Sequence, residues 1–283
     1  MSPRPSPSSA AQAGRLRALI VDDHPINARV MTVLLQQMGM HIGVVTHGAD
    51  AVSAVAGGQI DIVFMDYHMP VLDGFDATRQ IRALPAPLDQ TPIILVTADV
   101  ATSTQDAAQA LGIDAFVGKP VRMQDIKEAV AHALAARSAR LSWIDDQQEA
   151  GTMTASSADA HLSTPSDMRP LMINNDIFQE LRELIPTDQW QLMLDSLFAP
   201  GTGDVDVLKD CLHQGNRAAI GDQAHKLKGA ALLMGLSALG EAAAELEHLA
   251  RRSDGAIETT PWCTRLSTLA IGSHDAAVAL LKA

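Results

Sequence analysis

Four apolar runs in the first half of the chain each end in a polar residue able to do chemistry. The run at 16–21 leads into Asp22-Asp23, that at 60–65 into Asp66, that at 93–96 into Thr97, and that at 115–118 into Lys119-Pro120. Runs of this length read as strands of a parallel sheet, and in a doubly wound sheet ligands bind outside the carboxyl ends of the strands, near the point where strand order reverses. Three carboxylates in one cleft raise one another's pKa unless a cation offsets them, and a hard cation with oxygen ligands, Mg²⁺ above all, suits the set. That composition fits transfer of a phosphoryl group to a carboxylate. Asp66, central among the runs, is the expected nucleophile; Asp23 would ligate the metal directly, Asp22 directly or through water, and the backbone carbonyl of His68 would add another oxygen. Lys119 and the Thr97 hydroxyl would reach the phosphoryl oxygens. Singly, each residue reads as a helix cap, a turn or a loop; at the ends of successive strands, the coincidence is improbable.

The second half holds one stretch of comparable content, Ala224-His225-Lys226-Leu227-Lys228-Gly229-Ala230-Ala231. On a helix, Leu227, Ala230 or Ala231, and Met234 form an apolar stripe, which leaves His225, Lys228, Gly229 and Leu232 on another face. An exposed neutral imidazole, with an unperturbed pKa of about 6.5, is a nucleophile toward phosphoryl groups, and Lys228 can offset the added charge. Glycine inside a helix costs about 0.5–1 kcal/mol relative to alanine, so Gly229 calls for a reason. Close approach of another protein surface would supply one. A lone surface histidine beside two lysines is otherwise merely solvated.

These residues need elements to hold them. From 16 to about 137, strand-like runs alternate with helical stretches, which argues for βαβ units and a doubly wound five-stranded parallel sheet. Helical periods fall at 25–38, 49–56, 75–84, 101–111 and 123–137, and a weaker strand at 41–45. Residues 1–14 read as a disordered tail and 15–138 as the first domain. Residues 139–170, dense in Ser, Thr, Ala, Asp and Gln, read as a flexible linker, with the alternative that 139–144 extends the preceding helix. From 171 to 283 the strand signals vanish. Periods at 176–197 (interrupted at Pro186), 205–213, 216–234, 236–251 and 261–282 (interrupted at Gly272-Ser273) predict an all-α helical bundle.

Composition excludes several classes. The 283 residues are 47% apolar and only 3% aromatic, enough for two cores built from aliphatic side chains. The formal charge of -12, with both halves acidic, argues against a broad nucleic-acid footprint or an anionic membrane surface. Cys211 and Cys263 stand far apart, in no metal-ligand spacing, so two core thiols are expected rather than a disulfide. No run approaches the roughly 18 apolar residues of a membrane span. The N-terminus also lacks the apolar segment of a secretory signal, so the chain reads as cytoplasmic. No P-loop pattern occurs, and the other histidines show no HxxxH spacing.

The stretches VDDHPIN (21–27), MDYHMPVLDG (65–74), VTAD (96–99) and DAFVGKP (114–120) resemble a receiver domain of two-component signalling, over residues 16–137. The resemblance implies a flavodoxin-like fold, Asp66 as phosphoacceptor, Asp22 and Asp23 as holders of Mg²⁺, and Thr97 and Lys119 as contacts of the phosphoryl group. Phe116 matches the aromatic position whose rotamer follows Thr97. The stretch at 224–231 resembles the AHxLKGA signature of histidine phosphotransfer (HPt) domains, which implies His225 as the phosphorylated residue with Lys228 and Gly229 in support. Nothing resembles the ATP-binding portion of a histidine kinase, and Lys226 stands where such kinases place an acidic residue directly after their phosphorylated histidine. The whole is similar to the C-terminal part of hybrid sensor kinases. It implies a phosphorelay intermediate in which an upstream histidine kinase donates to Asp66 and His225 relays the group to or from a receiver aspartate, including that of a downstream response regulator. A second reading makes the helical domain an adaptor docked by a phosphorylation switch, with His225 unreactive. A third, a Mg²⁺-dependent phosphatase or mutase site, is opposed by Thr97, Phe116 and Lys119, and by His68, which stands where a second acid–base carboxylate is needed.

Overall fold

The computed structural model describes residues 15–98, 102–146, 172–252 and 257–282. The expected tail at 1–14, the first residue of the helix expected at 101–111 and the linker from 147 onward lie outside these residues. Five strands, β1 (Arg17–Val21), β2 (His41–Val45), β3 (Ile62–Asp66), β4 (Ile93–Thr97) and β5 (Ala115–Gly118), form one parallel sheet in the order β2-β1-β3-β4-β5. Every residue of β3 and β4 is buried. That is why both runs are nearly continuous Ile, Val, Leu, Phe and Met rather than alternating. Strand order reverses between β1 and β3, so the chain ends of these two neighbours open the crevice.

Helices α1 (Pro25–Gln37), α2 (Gly48–Ala56), α3 (Gly74–Arg82), α4 (Thr102–Ala110) and α5 (Met123–Asp146) alternate with the strands. Helix α1 starts beside the acidic pair because His24 caps it, its Nδ1 accepting from the Ile26 N–H, and Pro25 occupies the first turn. Asp73 caps α3 in the same way, accepting from the Asp76 N–H.

The linker expected to begin at 139 does not begin there. Helix α5 continues to Asp146, the alternative weighed from Leu141, Trp143 and Ile144. Buried Asp114 accounts for the continuation: its Oδ1 lies 2.5 Å from Arg140 Nη1, and its Oδ2 accepts from Arg82 and from the Ile93 N–H. A residue in the signature stretch before β5 therefore pins the last turns of α5.

Six further helices, α6 (Asn175–Leu184), α7 (Thr187–Phe198), α8 (Asp204–Gln214), α9 (Arg217–Leu233), α10 (Ser237–Arg251) and α11 (Thr259–Lys282), form the helical region. Pro186 divides α6 from α7 as expected, and Asn216 caps α9 by accepting from the Ala219 N–H. The interruption expected at Gly272-Ser273 is absent, and α11 runs through both residues. A Cβ on Gly272 would lie 2.8 Å from Met172 Cε, and Ser273 is fully buried. The glycine marks a close packing contact rather than a helix stop.

One face of the sheet is covered by α2 and α3 side chains around Val63, Leu95, Ala77 and Ile81. On the other face a single apolar cluster runs from Ile20 and Phe64 through Ile26 and Val30 of α1 into Phe178, Trp190 and Leu227 of the helical region. The two regions are thus packed together along α1.

Candidate functional site

The carboxyl ends of β1 and β3 bring Asp22, Asp23 and Asp66 together, with carboxylate oxygens within 4.8 Å of one another. Asp22 is fixed first: its Oδ1 accepts from the His24 N–H at 2.9 Å and from Asn27 Nδ2 at 3.1 Å. Lys119 follows β5 and reaches the cluster, its Nζ 3.2 Å from Asp66 Oδ1 and 3.4 Å from Asp22 Oδ2. Burial, and then the Asp22 and Asp23 charges, push the Asp66 carboxyl up to about 7, against the opposing pull of Lys119. Burial alone would lower the Lys119 ammonium, but Asp22 and Asp66 hold it above its ordinary value. The ammoniums of Lys119 and of Lys226, the latter 2.8 Å from Asp23 Oδ2, leave the three carboxylates one positive charge short. Asp23 Oδ2 is buried and faces the cluster. An oxygen-rich, under-neutralised pocket of this kind fits a hard divalent cation.

Thr97 ends β4, one residue beyond the Asp66–Val96 register pair, and is buried; Phe116 lies on β5 opposite Leu95, packed on the apolar face. Thr97 and Lys119 are joined through the backbone, Lys119 N–H donating to the Thr97 carbonyl at 2.7 Å.

Helix α9 lies across this pocket. A Cβ on Gly229 would sit 3.5 Å from Asn27 Nδ2 and 3.7 Å from Lys119 Nζ, so the helix passes close to the pocket, at distances an alanine would also tolerate. The His225 ring meets the His68 ring edge-on, with centroids 4.2 Å apart. His225 is therefore not the exposed side chain expected from the sequence. It is 8% exposed, covered by His68 of the β3–α3 loop and by Glu247 of α10.

Glu247 organises the imidazole. Its Oε1 is 2.7 Å from His225 Nδ1, and the same carboxylate is paired with Lys228 Nζ at 2.9 Å and Arg251 Nη2 at 2.7 Å. Burial would raise the Glu247 carboxyl, but His225 and Lys228 bring it down to about 2. An ionised acceptor on Nδ1 fixes that nitrogen as the N–H, which leaves the lone pair on Nε2. Lys228 was expected to offset phosphoryl charge; it is held on Glu247 instead. The cations lining the cavity of about 330 Å³ beside His225 are Lys226 and Arg251, with Asp23, His68, Met69, Pro70 and Asp222 completing the wall. Burial and the positive surroundings lower the His68 imidazole to about 4.

Further pairs cross between the two regions. Lys226 Nζ lies 2.8 Å from Asp23 Oδ2, and His24 Nε2 lies 2.9 Å from Asp204 Oδ2. Arg29 donates to Gln189 at 3.0 Å, and the Met123 N–H donates to Glu180 at 3.1 Å. Sequence reading missed Glu247, Asp204 and the use of Lys226. Lys226 carried a signal, as the base in place of an expected acid. Glu247 had none, because its nearness to His225 is created by the α9–α10 hairpin.

Comparison with known proteins agrees with this division. The response regulator receiver domain matches residues 18–131, and the Hpt domain matches residues 174–270. The chain is similar to Histidine kinase 5 of Arabidopsis thaliana, 30% identical over 148 residues covering 44% of this chain and 16% of that protein. It is also similar to Sensor histidine kinase AruS of Pseudomonas aeruginosa, 26% identical over 275 residues covering 97% of this chain and 24% of the relative. The chain thus spans a quarter or less of the length of these relatives. Among solved structures it is similar to the receiver domain of a sensor histidine kinase from Pseudomonas aeruginosa PAO1, crystallised with a magnesium ion in its active-site cleft. That likeness is 28% identical with a TM-score of 0.40, and it covers 43% of this chain and 99% of that one. Residues 18–131 belong to the response regulator receiver family and residues 174–270 to the Hpt family, so the chain joins the two kinds of module from which two-component phosphorelays are assembled.

Proposed function

We propose that this chain passes a phosphoryl group directly between its own Asp66 and His225. A histidine kinase charges Asp66, and a further receiver aspartate exchanges with His225. The observation that carries this reading is the seating of the His225 face of α9 on the Asp66 pocket, with Gly229 against Asn27 and Lys119.

In the step itself the Nε2 lone pair of His225 attacks the phosphorus of the aspartyl phosphate. The N–P bond forms, the bond from phosphorus to the Asp66 oxygen breaks, and the electron pair returns to the carboxylate. Glu247 accepts the Nδ1 hydrogen bond throughout, so it stabilises the positive ring that develops. Lys119 and the Thr97 hydroxyl hold the phosphoryl oxygens at the aspartate, and Phe116 follows Thr97. Lys226 and Arg251 meet the oxygens on the histidine side, with Lys228 acting through Glu247. Asp22, Asp23, Asp66 and the His68 carbonyl are the groups that would hold Mg²⁺, which when bound neutralises charge on the phosphoryl oxygens. The receiver unit extends from 15 to Asp146 and the HPt unit from 172 onward, and the intervening segment tethers them at high effective concentration.

The test is to charge the full chain with an active kinase and labelled ATP, then to treat it with acid and with base. A phosphoramidate survives base and an acyl phosphate does not. Asp66→Asn should lose all label and His225→Gln only the base-stable fraction; base-stable label that persists in His225→Gln would overturn the proposal.

A further inference from the structure

Lys226 stands where histidine kinases place an acidic residue, and the phosphoryl-transfer reading leaves its contact with Asp23 unexplained. Asp22 and Asp66 share the Lys119 ammonium, at 3.4 and 3.2 Å, whereas the ammonium on Asp23 comes from the HPt side, 2.8 Å from Oδ2. That carboxylate is 7% exposed, so the ion pair forms largely out of reach of bulk water. Lys226 itself is 37% exposed and borders the cavity beside His225, so its flexible stem has room to withdraw.

We infer that Lys226 is a tethered cation of the carboxylate cluster, one that competes with Mg²⁺ for Asp23 and so couples HPt docking to metal loading. The inference rests on the reading of the cluster as the cation site. A divalent ion held by Asp22, Asp23 and Asp66 places its charge against the ammonium on one shared carboxylate, and two like charges at contact distance repel. Docking that seats Lys226 weakens metal binding; metal binding expels Lys226 and weakens docking. Linkage requires the two effects to be equal in size.

Titration of MgCl2 into the full chain tests this by calorimetry, with no phosphoryl donor present. Lys226→Met keeps a good helix former at a partly exposed site and should bind Mg²⁺ about five- to tenfold more tightly than the parent chain. Asp204→Asn, which loosens the same interface at His24 without touching the cluster, should shift affinity in the same direction by a smaller factor. Affinity that is unchanged or weaker in Lys226→Met overturns the competition. If Asp23→Asn binds Mg²⁺ as the parent does, the cluster is not the cation site and the inference falls with it. Transfer between Asp66 and His225 is measured separately by the acid and base stability of label, so the two readings fail independently.

Discussion

The two candidate phosphoryl sites lie against each other yet are built on opposite principles. Asp66 stands at the end of a strand buried on both faces, in a cleft where burial and neighbouring carboxylates push it up to about 7. His225 stands on a helix, and the carboxylate on its Nδ1, that of Glu247, is drawn down to about 2 by His225 and Lys228. The first site has fewer positive charges than carboxylates, and one of them comes from the other region; the second carries its counter-charges within the HPt fold. A rigid, acidic acceptor needs a cation to approach a phosphate. An oriented imidazole needs only its lone pair aimed outward.

The largest effects should break one site and leave the other. Replacing the nucleophile in Asp66→Asn should reduce acid-stable and base-stable label alike by at least roughly 1,000-fold, read by autoradiography after charging with a kinase. Chelation of divalent cations should separate the sites next: label should fail to enter at Asp66, while a phosphoramidate already formed at His225 should persist. Removing the buried ammonium in Lys119→Met leaves Asp66 and Asp22 unpaired and should slow transfer by about 100-fold to 1,000-fold, as for loss of a preorganised charge-stabilising group. Single-turnover kinetics would measure it.

Glu247 sharpens the contrast at smaller scale. Glu247→Ala should slow transfer to His225 by about 10-fold to 100-fold, the range for carboxylates that orient an imidazole, while phosphorylation of Asp66 is unchanged. Its carboxyl is lower in the folded chain than the ordinary 4.5. The stability it contributes is therefore fully present above about pH 4.5 and is lost as pH falls toward 2. Acid unfolding followed by circular dichroism should show parent and Glu247→Gln chains differing at neutral pH and converging near pH 2. The smallest effect belongs to Gly229. A methyl group there meets Asn27 and Lys119 at 3.5 and 3.7 Å, ordinary contact distances, so Gly229→Ala should leave transfer intact. It should gain about 0.5–1 kcal/mol of helix stability. Gly229→Leu should part the two regions.

The receiver half was legible because its chemistry is tied to strand ends. Once the apolar runs at 17–21, 62–66 and 93–97 are read as parallel strands, Asp22, Asp23, Asp66 and Thr97 must share one edge of the sheet. The histidine half was legible only along one helix. His225, Lys228 and Gly229 share a face by period alone, but Glu247 reaches them through a helical hairpin, and Asp204 reaches His24 across the packing of two regions. Burial of His225 was hidden for the same reason: what covers it comes from elsewhere in the chain. Helix ends misled where a tertiary contact overrode local composition. Arg140 on Asp114 carries α5 past 138, and the packing of Met172 on Gly272 keeps α11 continuous.

The most direct test of transfer within one chain is its rate as a function of protein concentration. Chains charged at Asp66, freed of kinase and followed by the appearance of base-stable label at His225, should convert with a first-order rate constant that is unchanged over a hundredfold dilution. A rate constant that falls in proportion to dilution, or label that never becomes base-stable, would contradict it.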